Sequence, residues 1–367
     1  MLGKAGARMM IKKFCKLILA LLLAVLAAAI GLVGYLSLTE YMPEEIEPVA
    51  ISMAAWQKEP TVGSRLTAVT WNIGYAGLGR DQNFFMDGGT MVRPDRREDV
   101  EGNLAGIISA LVQQQADLYL LQEVDENAHR SYYINEVDSL RRGLALSTAL
   151  AYNFRCAFVP FPWPMIGKVE SGLVTLSRLQ VAEATRESLP VPFSWPVRIA
   201  NLKRCLLVER IPLAGSDKEL VMINLHLEAY DDGEGKRAQT EQLMGIVQAE
   251  YRKGNYVVAG GDFNQNFPNV EGYPQLKEEY WRPGQLSESD LPRGFSFATD
   301  PSVPTCRSTH ESYTGDRANS QFYVIDGYIV SPNVKVHNVQ TIDLNFQHSD
   351  HQPVRLEFTL QPEGAEA

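Results

Sequence analysis

Polar and ionisable side chains interrupt apolar, strand-like runs at six places along this chain. They are Asn72 in AVTWNI, Glu123 in DLYLLQEVD, His226 in ELVMINLHLE, Asp262 with Asn264 in YVVAGGDFN, Asp326 in FYVIDGYIV, and Asp350 with His351 in HSDHQPV. A carboxylate, amide or imidazole at the end of an apolar strand is costly unless it is paired or bound to something. Taken singly, each has an ordinary structural explanation: Glu123 as a cap or surface residue, His226 as a satisfied core histidine, DFN as an Asx turn. Taken together, they would share one edge of a layered sheet structure if their strands are neighbours, where α/β proteins carry their sites. Glu123, Asp350 and the Asn72 carbonyl are hard oxygen donors, suited to Mg2+ or Mn2+ and not to zinc. His348 and His351 have HxxH spacing, a weaker metal pattern. No HExxH, P-loop or Gly-x-Ser-x-Gly motif occurs, which argues against a zinc protease, a P-loop NTPase and a serine hydrolase.

These residues need rigid elements to bring them together, and the hydrophobic pattern supplies them. Val69, Trp71 and Ile73 alternate with Thr70 and Asn72, the period of a strand. Val100, Leu104, Ile107 and Leu111 repeat at helical spacing. Val221, Ile223, Leu225 and Leu227 face away from Asn224 and His226, and a helical stretch from about Lys236 to Glu250 leads into YVVAGGDFN. PVRLEFTL closes the series as a strand. Strands alternating with helices imply α/β or α+β layers. No linker-like stretch divides residues 64–361, so they are expected to form one domain.

The charge is unevenly spread. Of 34 Lys and Arg, five (Lys4, Arg8, Lys12, Lys13, Lys16) precede Glu40, leaving 29 basic residues against all 44 acidic ones, a net −15. After Lys16, residues 17–39 carry no charge. As a helix rising about 1.5 Å per residue this run reaches roughly 34 Å, enough to cross a bilayer core of about 30 Å. A cleaved signal peptide is the alternative, but its apolar region is usually only about 7–15 residues. The expectation is therefore a basic cytoplasmic segment over 1–16, a signal-anchor helix over 17–39 and an acidic juxtamembrane linker over 40–63. Domain 64–361 would lie outside the cell membrane, followed by a tail over 362–367. Hydrophobic residues at 45% and charged residues at 21% exclude a disordered or collagen-like chain. Cys156, Cys205 and Cys306 form no CxxC motif, and one disulfide plus a free thiol stays open.

The segments TWN (70–72), LLQEVD (120–125), SGLVTLSR (171–178), NLHLE (224–228), GGDFNQ (260–265), VIDGYIVS (324–331) and HSDHQPV (348–354) resemble the endonuclease/exonuclease/phosphatase superfamily. That group includes deoxyribonuclease I, apurinic/apyrimidinic endonucleases, sphingomyelinases and inositol-polyphosphate 5-phosphatases. The resemblance implies a four-layered α/β sandwich, two packed sheets with helices outside, and Mg2+-dependent hydrolysis of a phosphoester by in-line attack of water, with Mn2+ an alternative ion. Carried over by motif, Glu123 would ligate the metal with Asn72 beside it and Asp350 contributing. Asp262 would orient or deprotonate water and Asn264 would hold the phosphate. His226 and His351 would stabilise phosphoryl oxygens, with Asp326 buttressing His351. Family members differ on whether Asp262 or His351 is the base.

The chain departs from the simplest pattern in three places. The Gly-rich stretch 74–99, with Arg80, Arg93, Arg96, Arg97, Phe84 and Phe85, is either a substrate rim or a surface loop. Pro-rich VPFPWPM (159–165) and LPVPFSWPVR (189–198) put Trp163 and Trp195 on loops, open to internal packing or to contact with a bilayer. Arg204 and Arg307 are candidate phosphate contacts or ordinary ion-pair arginines. The substrate is left among a lipid headgroup, a small phosphoester and nucleic acid, and the acidic balance lacks the basic surface of a strong nucleic-acid binder. A catalytically inactive binding module is a third reading. No feature points to an obligate protein partner.

Overall fold

The alternating apolar runs become the strands of two seven-stranded sheets in a computed structural model describing residues 4–268 and 270–362. The chain begins with α1 (Lys4–Leu38), β1 (Ile46–Pro48), β2 (Ile51–Ser52), β3 (Arg65–Asn72), α2 (Arg97–Gln114) and β4 (Leu118–Asp125). It continues through α3 (Glu136–Leu144), β5 (Ser147–Val159), β6 (Gly167–Ser177), β7 (Glu183–Ser188), β8 (Cys205–Pro212) and β9 (Glu219–His226). The remainder holds α4 (Glu234–Arg252), β10 (Tyr256–Asp262), β11 (Ser296–Ala298), β12 (Asp326–Val330), β13 (Val334–Thr341) and β14 (Val354–Leu360). One sheet runs β13-β14-β3-β4-β6-β5-β2 and the other β1-β7-β8-β9-β10-β12-β11.

Three apolar cores make four layers of these parts. Leu66, Ala68, Leu118 and Leu120 of one sheet meet Leu220, Met222, Tyr256 and Val258 of the other. The opposite side of the first sheet, Val69, Trp71, Tyr119 and Leu121, buries Val100, Leu104, Ile107 and Leu111 of α2. The far side of the second sheet, Val221, Ile223, Leu225 and Val257, buries Leu243, Met244 and Val247 of α4. Each fully buried Leu or Val contributes about 1.5–3 kcal/mol, so the alternation that predicted the strands is also what holds the layers together. The expected α/β sandwich is the observed fold.

A polar clamp interrupts the inter-sheet core just below the end that carries the site. Gln122 Nε2 donates to Asn224 Oδ1 (2.8 Å) and to Thr70 Oγ1 (3.1 Å), and Asn224 Nδ2 donates to the carbonyls of Leu121 and Val174 (both 3.1 Å). These hydrogen bonds fix one sheet against the other, while Gln122 Oε1 is left buried without a partner.

The segment expected as a linker over 40–63 does not run free. β1 pairs with β7 and β2 with β5, so one short stretch adds an edge strand to each sheet. Two- and three-residue strands are too short for period-2 patterning to reveal them. Cys15 is exposed and Cys156, Cys205 and Cys306 are buried, all four as free thiols. Gly6–Leu38 is the one helix among the described residues long and apolar enough to cross a membrane, with a mean hydropathy of 2.9 and its apolar window uncovered. Of the expected tail over 362–367, residues 363–367 lie outside the described residues.

Candidate active site

Sheet register does most of the positioning. His226 of β9 is opposite Asp262 of β10, and Asp262 is opposite Asp326 of β12, so three ionisable residues fall in one row. Asp262 Oδ2 is 3.4 Å from His226 Nε2 and 3.8 Å from His351 Nε2. Behind His351, Asp326 Oδ2 lies 2.8 Å from Nδ1, while Asp326 Oδ1 is buried without a partner. Thr305 Oγ1 accepts the N–H groups of Ile325 and Asp326, and Trp71 Nε1 donates to the His351 carbonyl (2.9 Å). The row is close because glycine precedes it. A Cβ on Gly261 would stand 1.9 Å from the Leu225 carbonyl oxygen.

The first sheet supplies the facing residues by breaking its own regularity. The β4–β6 register shifts between Leu121 and Val124, and Glu123 takes a left-handed φ of 53° within that bulge. A bulge re-aims one side chain, here Glu123, out of the alternation of its strand. Asn72 Nδ2 donates to Glu123 Oε1 (3.2 Å) and Asp262 Oδ2 (3.0 Å), bridging the sheets, while its Oδ1 accepts the Gly74 N–H (3.0 Å). The Asn72 oxygen expected to ligate a metal is thus engaged with backbone, and its amide nitrogen points at the carboxylates. Asn264 also has a left-handed φ, 52°. Asp262 Oδ1 accepts its N–H (2.9 Å) in an Asx turn, and its Nδ2 donates to the Leu227 carbonyl (2.8 Å).

Nine of the ten expected site residues line one cleft: Asn72, Glu123, Arg204, His226, Asp262, Asn264, Arg307, Asp350 and His351. Asp326, the tenth, lies behind His351. Arg204 is held by Glu228 Oε2 (3.1 Å) and the His226 carbonyl (3.1 Å). Arg307 donates to the carbonyls of Ser308, Glu311, Leu78, Gly79 and Gln82, leaving Nε buried and unpartnered. Both arginines therefore brace the wall. The stretch 74–99 supplies Leu78, Phe84, Met86 and Asp87 to the cleft, whereas Arg93 turns to His129 and Arg96 and Arg97 pair with Asp99 and Glu101. His348 is not beside His351: a Cβ on Gly106 of α2 would meet its ring at 2.3 Å.

Arg130 is among the cleft residues that nothing in the sequence singles out. Arg130 donates to both oxygens of Asp125 (3.1 and 2.9 Å) and stacks 3.8 Å over the buried Tyr75 ring. Its only sequence signal is position, seven residues after Glu123 and just beyond the strand, with no spacing that marks a role.

Burial sorts the charges. It pushes the Asp262 carboxyl up to about 6, with Asp326 adding to the rise and His351 opposing it. It pushes Asp350 up to about 7, against His351 and Arg307 and with Glu123. Burial, Arg204 and His351 together hold His226 well below the usual histidine range. For His351 burial also opposes the charge, but Asp326, Cys306 and Asp262 outweigh it and hold its pKa well above that range. Near neutral pH the arrangement is an imidazolium at His351, a carboxylate at Asp262 and a neutral imidazole at His226.

The donor set also suits a divalent cation. Glu123 adds to the cost of ionising the buried Asp350, and Asp350 Oδ1 borders the space above Gly74, 3.0 Å from where a Cβ would sit. Hard carboxylate oxygens of this kind fit Mg2+ or Mn2+. A second group, Asp262, Asp326 and His351, has ligand atoms within 4.8 Å of one another.

Comparison with known proteins agrees with this architecture. The Endonuclease/Exonuclease/phosphatase family matches residues 69–351. An endonuclease/exonuclease/phosphatase from Beutenbergia cavernae DSM 12333 is similar at a TM-score of 0.56 and 18% identity, over 83% of this chain and 73% of that one. A functionally unknown conserved protein from Enterococcus faecalis V583 gives 0.52 and 14%, over 81% and 100%. The human Nocturnin catalytic domain with bound sulfate anion gives 0.50 and 15%, over 85% and 98%. No curated protein matches the sequence. At these identities the solved structures speak for the fold alone.

Proposed function

Because the chain belongs to the endonuclease/exonuclease/phosphatase family, we propose that it is a membrane-anchored, outward-facing phosphoester hydrolase that uses Mg2+ and in-line attack of water. The observation that carries this reading is the His226–Asp262–Asp326 row with His351 against it, 2.8 Å from Asp326 and 3.8 Å from Asp262. Water near Asp262 is oriented by a carboxylate that accepts its proton. His351, kept cationic by Asp326, offers Nε2–H to charge developing on a phosphoryl oxygen. His226 acts as a neutral donor or acceptor, and the uncommitted Asn264 amide hydrogen holds a second oxygen. The Asn72 amide fixes the spacing between Glu123 and Asp262. Glu123 and Asp350 would hold the cation, which supplies Lewis-acid polarisation of the phosphoryl group when bound.

The anchor is the Gly6–Leu38 helix, and five basic residues before the run at 17–39 against Glu40, Glu44, Glu45 and Glu47 after it favour a cytoplasmic N-terminus. The test is hydrolysis of bis-p-nitrophenyl phosphate by the purified full chain with Mg2+ and with chelator. Asp262→Ala and His351→Ala should each lower the rate at least ~10²-fold. Wild-type rates in both variants would overturn the assignment.

A further inference from the structure

The apolar helix does not lead into a flexible tether. Ser37, one residue before the end of α1, accepts a hydrogen bond from Trp195 Nε1 (3.0 Å). Glu40 then meets Arg198 (3.1 Å) and Lys203 (3.1 Å), and is nearly buried between them. Four residues on, Ser188 binds the Glu44 carbonyl through its hydroxyl and that of Glu45 through its N–H (both 2.7 Å). The end of α1 is therefore fastened to the Pro-rich loop at 190–199, at the depth of the last turn of the apolar helix. A helix that crosses a bilayer holds that loop at the bilayer surface.

The loop at 160–166 adjoins this one, its stem residues Val159 and Ile166 packing in one cluster with Ala200 and Leu202, and the tips of both are apolar. Trp163 is 83% exposed and Phe161 72%, so the packing explanation for these aromatics fails. Trp195 and Val197 are exposed as well. Exposed aromatics beside the end of a membrane-crossing helix match the composition of membrane interfaces. The charge agrees: in a region with 44 acidic residues, neither 156–167 nor 189–204 contains one. Loops free of carboxylates approach a bilayer interface without having to desolvate one.

The same loops wall the catalytic cleft. Val159 and Ile166 flank the Phe161–Trp163 tip, and Ala200, Asn201 and Leu202 follow the Trp195–Val197 tip. All five line the cleft that holds His226, Asp262 and His351. We infer that loops 160–166 and 190–199 seat the rim of the cleft on the bilayer crossed by α1, so that the phosphoester cleaved is a phospholipid headgroup presented at that surface. The inference rests on the hydrolase reading above. In the step itself the water oxygen bonds to phosphorus, one P–O ester bond breaks, and the alkoxide leaves with a proton.

The test uses the full chain reconstituted into vesicles of phosphatidylcholine, phosphatidylethanolamine, phosphatidylglycerol and sphingomyelin, with wild type compared to F161S/W163S and W163F/W195F. At least one lipid should be hydrolysed. F161S/W163S should lose at least tenfold in that rate while keeping wild-type turnover of soluble bis-p-nitrophenyl phosphate. Tryptophan emission should be quenched by brominated phosphatidylcholine in wild type and largely lose that quenching in W163F/W195F. Unchanged lipid turnover in F161S/W163S, quenching that survives W163F/W195F, or cleavage of DNA or RNA without any lipid cleavage would overturn the inference. Absence of turnover on the soluble diester would instead sink the hydrolase reading, and the quenching would still report whether the loops meet the bilayer.

Discussion

Replacing Asp326 by Asn isolates the electrostatic part of the site. The exchange is nearly isosteric and removes one negative charge 2.8 Å from His351 Nδ1, where both residues are buried. At an effective dielectric constant of about 20, charges centred roughly 4 Å apart attract by about 4 kcal/mol. Without Asp326, burial should carry His351 down from well above the ordinary histidine range toward or below it. A step needing the imidazolium is lost as pH rises through the His351 pKa, so this limb of the rate profile should move to lower pH in D326N. At pH 7.5 kcat should fall ~10²–10⁴-fold. Stability should change with the opposite emphasis. A histidine with a raised folded pKa stabilises most below its unfolded value of about 6.5 and loses that contribution as pH rises through the folded pKa. The Tm deficit of D326N should therefore be largest near pH 5–6 and shrink in alkali. The assay is kcat for bis-p-nitrophenyl phosphate from pH 5 to 9, with thermal unfolding alongside. A mutant with wild-type rate and an unmoved profile would refute the charge argument.

Three further outcomes follow from other sites. Glu123→Gln should raise the Mg2+ concentration for half-maximal rate and weaken Mg2+ binding measured by calorimetry; unchanged binding would remove Glu123 from the metal site. Burial pushes Glu209 up to about 8 with Oε2 unpartnered, so the folded protein holds a proton the unfolded chain has lost, and stability falls as pH rises from about 4.5 to about 8. Glu209→Gln should raise Tm at pH 9 and leave it nearly unchanged at pH 5; no difference at pH 9 would contradict this. Gly261→Ala forces a Cβ against the Leu225 carbonyl and should destabilise by about 3 kcal/mol, whereas Gly245→Ala, in open space on α4, should be neutral or stabilising by up to about 1 kcal/mol. Equal Tm changes in the two would refute the close-approach argument.

The fold was legible because alternation and burial are the same fact seen twice: Val69 and Trp71 face α2 as their spacing requires. The cleft residues stood out for the converse reason, since Asn72, His226, Asp262 and Asp326 each break an apolar run that cannot hold them unpaired. What sequence lacks is partner identity. Arg204 and Arg307 had the right residue type for phosphate, but only the fold shows their nitrogens occupied by Glu228 and by loop carbonyls. Arg130 was invisible because its value comes from stacking on Tyr75, fifty-five positions earlier. The edge strands at 46–52 carry no strand signal in the sequence because two or three residues cannot display a period.

Hydrolysis in water enriched in 18O tests the central claim most directly. The full chain is incubated with Mg2+ and a phosphodiester, and the products are weighed by mass spectrometry. Attack of water on phosphorus predicts one 18O in the phosphate-containing product, none in the alcohol, and no label when chelator is present. Label in the alcohol, or turnover that persists undiminished in chelator, would contradict the account.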